Sequence, residues 1–264
     1  MIKIITFAVR YFRYLIKSKH YKGHGIHSPF LYQFTREVIF SNQDNPHFSK
    51  IESIRKELEN DKTLIQINDY GAGSRVFKNR KRRISDIAKV SSTNKKYGKM
   101  LYRMVEYFDV KNILELGTSL GIGTMYLAYS QKAKVCTIEG DLSIYEKAKS
   151  IFEQAELSNI TSIKGEFSSK LPEVLNKVHE LDLVYFDGNH KMQATLNYFE
   201  QCLTKITNHS VFVFDDIHWS ADMEYAWEKI KLHPKTMVTV DLFQMGIVFF
   251  RKELSKEHFV IKYL

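Results

Sequence analysis

The chain has 264 residues, of which 44% are hydrophobic and 26% charged, and is long enough to bury a full core in one α/β domain with an N-terminal elaboration. No run approaches the roughly 18 consecutive apolar residues of a membrane span, and the N-terminus lacks the apolar core and small-residue cleavage site of a secretory leader. Cys136 and Cys202 fall in a predicted strand and a predicted helix, outside any C-x-x-C pattern. That argues against a disulfide or zinc framework and for a reducing cytoplasm. The net charge of +9 is unevenly spread: residues 1–111 hold 23 Lys/Arg against 10 Asp/Glu, a net of +13, and residues 112–264 hold 16 against 20, a net of −4.

Met1 to Lys17 reads as a basic amphipathic helix carrying Arg10 and Arg13. The favoured reading packs it on the domain; contact with an anionic membrane surface is the lesser one. Ser28 followed by Pro29 is an N-cap with proline at the first helical position, so a helix is predicted over 29–40. His24 and His27 are read as residues of a turn rather than as metal ligands, since no further Cys, His or carboxylate pattern lies near them. Residues 41–63 read as a loop and a charged helix. A short strand over 64–70 then runs into a glycine loop, Gly71-Ala72-Gly73-Ser74-Arg75, read as a turn flanking the substrate. It is followed by Lys78 and the basic run Arg80-Lys81-Arg82-Arg83. Such a run is ordinarily a solvated face, with an acidic substrate or nucleic acid as the alternative. Residues 1–90 are thus predicted to form a basic, mainly helical extension, and residues 91–264 the main domain.

Helical spacing resumes with Tyr97, Leu101, Met104, Val105 and Phe108. The central stretch follows: Asn112-Ile113-Leu114-Glu115-Leu116, then Gly117, Gly121 and Gly123 within seven positions, then an amphipathic segment. That order is strand, tight loop, helix. Glycines let a ligand lie against the backbone, and the helix N-terminus offers unpaired N–H groups, so the loop is a cofactor site. The next β-rich run ends at Glu139, 22 positions after Gly117, where a strand-end acid can grip ribose hydroxyls. Strands are predicted at 112–116, 134–139, 160–164, 181–187 and 210–215, alternating with helices at about 121–131, 143–156, 168–178, 191–206 and 220–231. Two further β runs, 236–243 and 246–250, are joined too closely for a helix and form a hairpin. The fold class is α/β: a Rossmann-like, doubly wound sheet of seven strands, mostly parallel, ending in an antiparallel hairpin.

The loop pattern is E-x-G-x-x-x-G-x-G rather than the dinucleotide fingerprint G-x-G-x-x-G. It resembles the first motif of the class I S-adenosylmethionine-dependent methyltransferases, in which Glu115, Gly117, Thr118, Ser119, Gly121 and Gly123 would belong to the loop around the cofactor. The terminal hairpin is also the methyltransferase arrangement. Asp187 closes the fourth strand, and Asp215 and Asp216 the fifth. Strand-end carboxylates that converge repel unless a cation lies between them, magnesium first. From about Ser91 to Arg251 the chain resembles the cation-dependent O-methyltransferases of the catechol and macrolide-sugar type. The resemblance implies a Mg2+ or Mn2+ ion held by Asp187, Asp215 and Asp216, closure of a loop including Ser91 and Thr93 over the methionine end, and Gly165, Glu166 and Phe167 beside the adenine. His190 stands where the catechol enzymes carry a catalytic lysine, and Gly123 replaces a serine. Residues 1–90 resemble that family little, although Gly23-His24-Gly25-Ile26-His27-Ser28-Pro29-Phe30 is similar to the opening of uncharacterised bacterial methyltransferases.

The expected activity is methyl transfer from S-adenosylmethionine to a hydroxyl of a small molecule, with Asp187 and His190 as the catalytic residues and His190 taking the proton. Trp219 and Tyr185 are candidate pocket walls or core. Three alternatives stand beside it: a metal-independent or nucleic-acid-directed methyltransferase using the basic N-terminal region, a nicotinamide oxidoreductase, which the glycine spacing and hairpin disfavour, and a non-catalytic module that keeps the fold. A homodimer is among the expected assemblies.

Overall fold

The computed structural model describes residues 2–67 and 81–263, with side chains from Thr6 onward. The second glycine loop, Gly71–Arg75, together with Lys78 and Arg80, lies outside the described residues. By packing, the chain divides into two compact units, Met1–Ser41 with Glu180–Leu264, and Asn42–His179. The 90 N-terminal residues, expected as one extension, are therefore shared between the two.

The first unit opens with helix α1, Ile2–Lys17. Helix α2, Pro29–Phe34, starts where predicted, with Ser28 Oγ accepting from the Leu31 N–H. It stops as an α-helix at Phe34 and continues as one π-helical turn, Thr35–Ile39. The predicted 29–40 segment is thus helical with a change of winding inside it.

The second unit holds α3 (Pro46–Asn60), a small antiparallel pair β1 (Leu64–Gln66) and β2 (Lys81–Arg83), α4 (Ile84–Ser91), α5 (Lys95–Tyr107), β3 (Asn112–Leu116), α6 (Ile122–Ala128), β4 (Lys134–Glu139), α7 (Leu142–Gln154), β5 (Ile160–Lys164) and α8 (Phe167–Leu175). β3, β4 and β5 pair in parallel, with Leu116 opposite Ile138 and Glu139 opposite Lys164. Parallel strands need crossover helices, and α6 and α7 supply them. Three of the four residues at the basic run thus form an edge strand: Lys81 and Arg83 are exposed, Arg82 half-buried. Helix α4 was not foreseen, because its eight residues follow a charged run and make only two turns.

The first unit resumes with β6 (Leu181–Phe186), α9 (Met192–Cys202), β7 (Ile206–Phe214), α10 (Ala221–Leu232), β8 (Val238–Asp241), β9 (Gly246–Phe249) and β10 (Glu257–Val260). Its strands lie in the order β10-β8-β9-β7-β6. β6 and β7 are parallel, while the predicted hairpin is present as β8 and β9, antiparallel to each other, with β9 also antiparallel to β7. β10, pairing parallel with β8, is a strand that was not expected. Its four residues carry no buried face that alternation could reveal. Val211, Phe212, Val213, Phe214, Ile247, Val248 and Phe249 are all at most 1% exposed, so this strand pair is covered on both faces, as continuous apolar runs require.

Candidate functional site

In the second unit the glycine loop follows β3 directly. Gly117 and Gly121 take φ of 108° and 81°, and Ser119 between them takes 47°. The chain thus needs left-handed backbone at three of five positions, and glycine adopts it without steric cost at two of them. At Gly121 a Cβ would also lie 2.4 Å from Cε1 of Phe152, a residue of α7, so the loop is pressed against that helix. Gly123 is buried in the first turn of α6, behind Gly121 rather than in the loop.

Glu139 ends β4 beside this loop because the parallel register places Leu116 opposite Ile138. Its Oε2 accepts from the Ser119 N–H at 3.0 Å and its Oε1 from the Asp141 N–H at 2.9 Å. One carboxylate thereby ties the glycine loop to the start of α7, whose first turn Asp141 caps. Desolvation by burial pushes the Glu139 carboxyl up to about 7 against these two N–H donors. The next strand end lies alongside: Gly165, at φ 152°, donates to the Glu139 carbonyl at 2.8 Å, and Glu166 and Phe167 begin α8. Glu139 and Gly165 are therefore neighbours at adjacent strand ends.

Glu115 is placed differently from its expected role. It is 1% exposed, and its Oε2 accepts from the hydroxyls of Thr124 and Thr137, while Thr137 is 2.6 Å from the Thr118 hydroxyl. Burial pushes its carboxyl up to about 7 despite these partners. It holds Thr118, and with it the loop, from inside the core rather than lining the ligand side.

Ser91 is the exposed last residue of α4, and Thr93 is buried at the turn into α5. The Thr93 carbonyl accepts from Arg55 Nη2 at 2.6 Å; Arg55 in turn donates to Glu52 Oε1 at 3.1 Å, and the Tyr126 hydroxyl donates to the same oxygen at 2.9 Å. This link from α3 to the 91–94 turn and to α6 was not foreseen. Glu52 and Arg55 sit three apart in a charged helix, and nothing in their spacing distinguishes them from a surface pair.

In the first unit, Asp187 follows β6 and Asp215 follows β7, brought level by the register Phe186 opposite Phe214. The Asp215 N–H donates to the Phe186 carbonyl at 2.9 Å. Asp215 is 6% exposed; Tyr185, itself fully buried, donates to its Oδ2 at 3.4 Å, while its Oδ1 is buried without a donor. Asp187 is the carboxyl beside it, and two carboxyls hydrogen-bond only when one holds a proton. Burial first and Asp216 second push the Asp215 carboxyl up to about 8. Tyr185 is therefore core and a partner of Asp215, not a pocket wall, whereas Trp219 is half-buried and meets Phe7 edge-on.

Asp216 takes left-handed φ of 56°, as does Asn189 at 59° in the loop carrying the half-buried His190. Among the described residues no group of three or more His, Cys, Asp or Glu is gathered to hold a metal ion. The expected trio of Asp187, Asp215 and Asp216 is thus not gathered as a metal site, and what the structure brings together is the hydrogen-bonded pair Asp187 and Asp215. A donorless buried carboxylate oxygen beside a second carboxyl nevertheless fits a hard cation chemically.

A second unforeseen cluster follows Asp216. His218 places Nδ1 3.1 Å from Glu224 and Nε2 2.8 Å from Asp241, Arg10 Nε donates to Glu224 at 2.8 Å, and the His218 ring stacks on Phe243. Burial alone would depress the His218 pKa, but Asp241 and Glu224 outweigh it and hold it above the ordinary value. The cluster draws on residues 10, 218, 224 and 241, a span no local motif covers.

The geometry can be set beside known proteins. Residues 114–217 match the family model described as a methyltransferase domain. No curated protein matches the chain. Among solved structures it resembles an O-methyltransferase from Bacillus cereus in complex with SAH, at 18% identity and a TM-score of 0.57 over 82% of this chain and 96% of that one. A putative O-methyltransferase from Klebsiella pneumoniae matches at 15% identity and 0.57, over 79% and 91%. The O-methyltransferase TomG from Streptomyces achromogenes, involved in tomaymycin synthesis and in complex with SAM, matches at 16% and 0.53, over 79% and 91%. At these identities the likeness establishes the fold, which is the Rossmann-like fold of the class I methyltransferases. The match to a methyltransferase domain covers the glycine loop, Glu139 and the strand ends at Asp187 and Asp215.

Proposed function

We propose that the chain is an S-adenosylmethionine-dependent methyltransferase that acts on a hydroxyl of a small molecule. The observation that carries the cofactor half of this reading is the tie between Glu139 and the Ser119 N–H, which fixes a strand-end carboxylate against a tight loop with left-handed backbone at Gly117, Ser119 and Gly121. The acceptor half is supported by the neighbours described as O-methyltransferases, two of them holding SAM or SAH.

S-adenosylmethionine, when bound, supplies a methyl group on a sulfonium, already activated for in-line displacement. The protein must then hold the donor, exclude water and promote loss of the hydroxyl proton. Gly117 to Gly121 would embrace the amino-acid end, Glu139 the ribose hydroxyls, and Gly165 to Phe167 the adenine. His190, half-buried in the loop after β6, is the residue proposed to accept the proton, an imidazole nitrogen being able to serve as a general base.

A second reading adds a divalent cation, Mg2+ or Mn2+, at Asp187 and Asp215, with Asp216 next to them. It is favoured by the buried Asp215 Oδ1, which has no donor. Such an ion, when bound, supplies Lewis acidity that lowers the pKa of a coordinated hydroxyl. The chain's own part would be to keep both carboxyls ionised toward it.

Methyl-labelled S-adenosylmethionine offered with a panel of catechols, phenols and sugar alcohols, and in parallel with amines, RNA and DNA, tests the reading. Label in an ether product supports it; label only on nitrogen acceptors or nucleic acid overturns it. The same panel with a chelator separates the metal-assisted from the metal-independent form.

A further inference from the structure

We propose that helix α1 binds anionic membrane surfaces, with Val9, Phe12 and Ile16 entering the lipid interface and Arg13 and Lys17 meeting the headgroups.

The helix carries two apolar stripes, and the fold uses one. Phe7, Tyr11 and Tyr14, spaced four and three residues apart, turn to one side, where all three rings pack on Phe243 with centroids 4.9 to 5.3 Å away. That side is pinned: the Tyr14 hydroxyl donates to the Ile261 carbonyl at 2.5 Å and accepts from the Tyr263 N–H at 3.0 Å, and Arg10 pairs with Glu224. Val9, Phe12 and Ile16, spaced three and four apart, fall on the opposite side of the same helix. They are 43%, 64% and 67% exposed. An apolar row of this kind, left uncovered along a helix already docked by its other face, marks an interaction surface.

Charge chooses the occupant. Residues 1–36 contain seven Lys/Arg and no Asp/Glu. Arg13 and Lys17 flank the exposed stripe, and neither they nor Lys19 forms an ion pair among the described residues. Tyr21 and Tyr32, amphipathic rings suited to an interface, are 48% and 44% exposed close by in sequence. A second copy of the chain would set this stripe against itself and bring like charges together, since a two-fold interface is self-complementary. A nucleic acid would satisfy the cations but leave Phe12 and Ile16 without a partner. A bilayer with acidic headgroups answers both features at once. No helix among the described residues is long and apolar enough to cross a membrane, so the contact lies in the surface plane.

Co-sedimentation of the full chain with vesicles of phosphatidylcholine, alone and mixed with phosphatidylglycerol, tests this. The protein should sediment with the mixed vesicles and stay in solution with the neutral ones. A Phe12→Ser, Ile16→Ser double variant should lose at least tenfold in partitioning. An Arg13→Gln, Lys17→Gln variant should lose about 25-fold, at roughly fivefold per cation. Both should keep affinity for S-adenosylhomocysteine, which reports that the fold is intact. Should either variant fail to fold, a fluorophore on Phe12→Cys provides a second readout: its emission should shift to the blue on mixed vesicles alone. Cys202 is buried, and burial pushes the Cys136 thiol up to about 11, so the new thiol labels first. Absence of sedimentation at low salt, or binding unchanged in both variants, overturns the proposal. So does a lipid-free dimer that Phe12→Ser, Ile16→Ser dissociates, which would assign the stripe to a second copy.

Discussion

The main-chain N–H of Ser119 donates to Oε2 of Glu139 across 3.0 Å, so the glycine loop and the acid that closes the next strand are joined directly. Replacing Glu139 by Ala leaves the Ser119 and Asp141 N–H groups without their partner and removes the proposed ribose contact. Affinity for S-adenosylhomocysteine should fall by the value of charged hydrogen bonds, about 1.5–3 kcal/mol, or roughly 10- to 150-fold. Calorimetry checks it. Glu139→Gln, which keeps an acceptor, should lose less.

Glu115 gives a prediction with a definite sign. Its carboxyl holds a proton to about pH 7 in the folded chain against 4.5 as the ordinary value. Between those limits the folded state binds more protons than the unfolded one, so this residue makes stability fall as pH rises. Glu115→Gln should flatten that slope, removing up to about 3 kcal/mol of pH-dependent destabilisation between pH 4.5 and 7. Denaturant melts of both proteins across that range would show it, and parallel curves would count against the buried-carboxyl account.

Gly121→Ala joins two penalties at one position: left-handed backbone, and a Cβ set 2.4 Å from the Phe152 ring. The backbone alone costs about 1–2 kcal/mol, and overpacking typically about 1–3 more. A lowered melting temperature with weakened S-adenosylhomocysteine binding is expected.

His218 lies between Glu224 and Asp241 with a raised pKa. A folded pKa above the unfolded one means stability that is present below the unfolded value and fades as pH rises through the folded value. The stability gap between the native chain and His218→Gln should therefore be widest at mildly acid pH and narrow above it. Thermal melts between pH 5 and 9 would test this; a gap that widens with pH would remove the charged histidine from the account.

Asp215→Asn bears on the cation reading. If Asp187 and Asp215 hold a divalent ion, Mn2+ affinity should fall at least tenfold, while affinity for S-adenosylhomocysteine, which depends on other residues, should stay within about twofold. Unchanged Mn2+ binding would leave the pair as a proton-sharing structural device.

What the sequence made legible is what is local and periodic. The strand, glycine loop and helix from Asn112 to Thr124, the acid at Glu139, and the β8 and β9 hairpin all announce themselves by alternation or by glycine at fixed offsets, and all are present. The directions of side chains were not legible. Glu115 turns into the core toward Thr124 and Thr137 because β3 is covered on both faces, and alternation in a fully buried strand carries no inside or outside. Arg55 and Arg10 find partners far along the chain, at the Thr93 carbonyl and at Glu224, through tertiary packing that helix spacing does not encode. The strand-end acids could be located, but not their grouping, since that depends on the left-handed turn at Asp216.

The cofactor is the point on which the whole account turns, and calorimetric titration of the native chain with S-adenosylhomocysteine and, separately, with NADH measures it most directly. The account predicts saturable binding of S-adenosylhomocysteine, weakened in Glu139→Ala, and none of NADH. Binding of NADH without S-adenosylhomocysteine would contradict it.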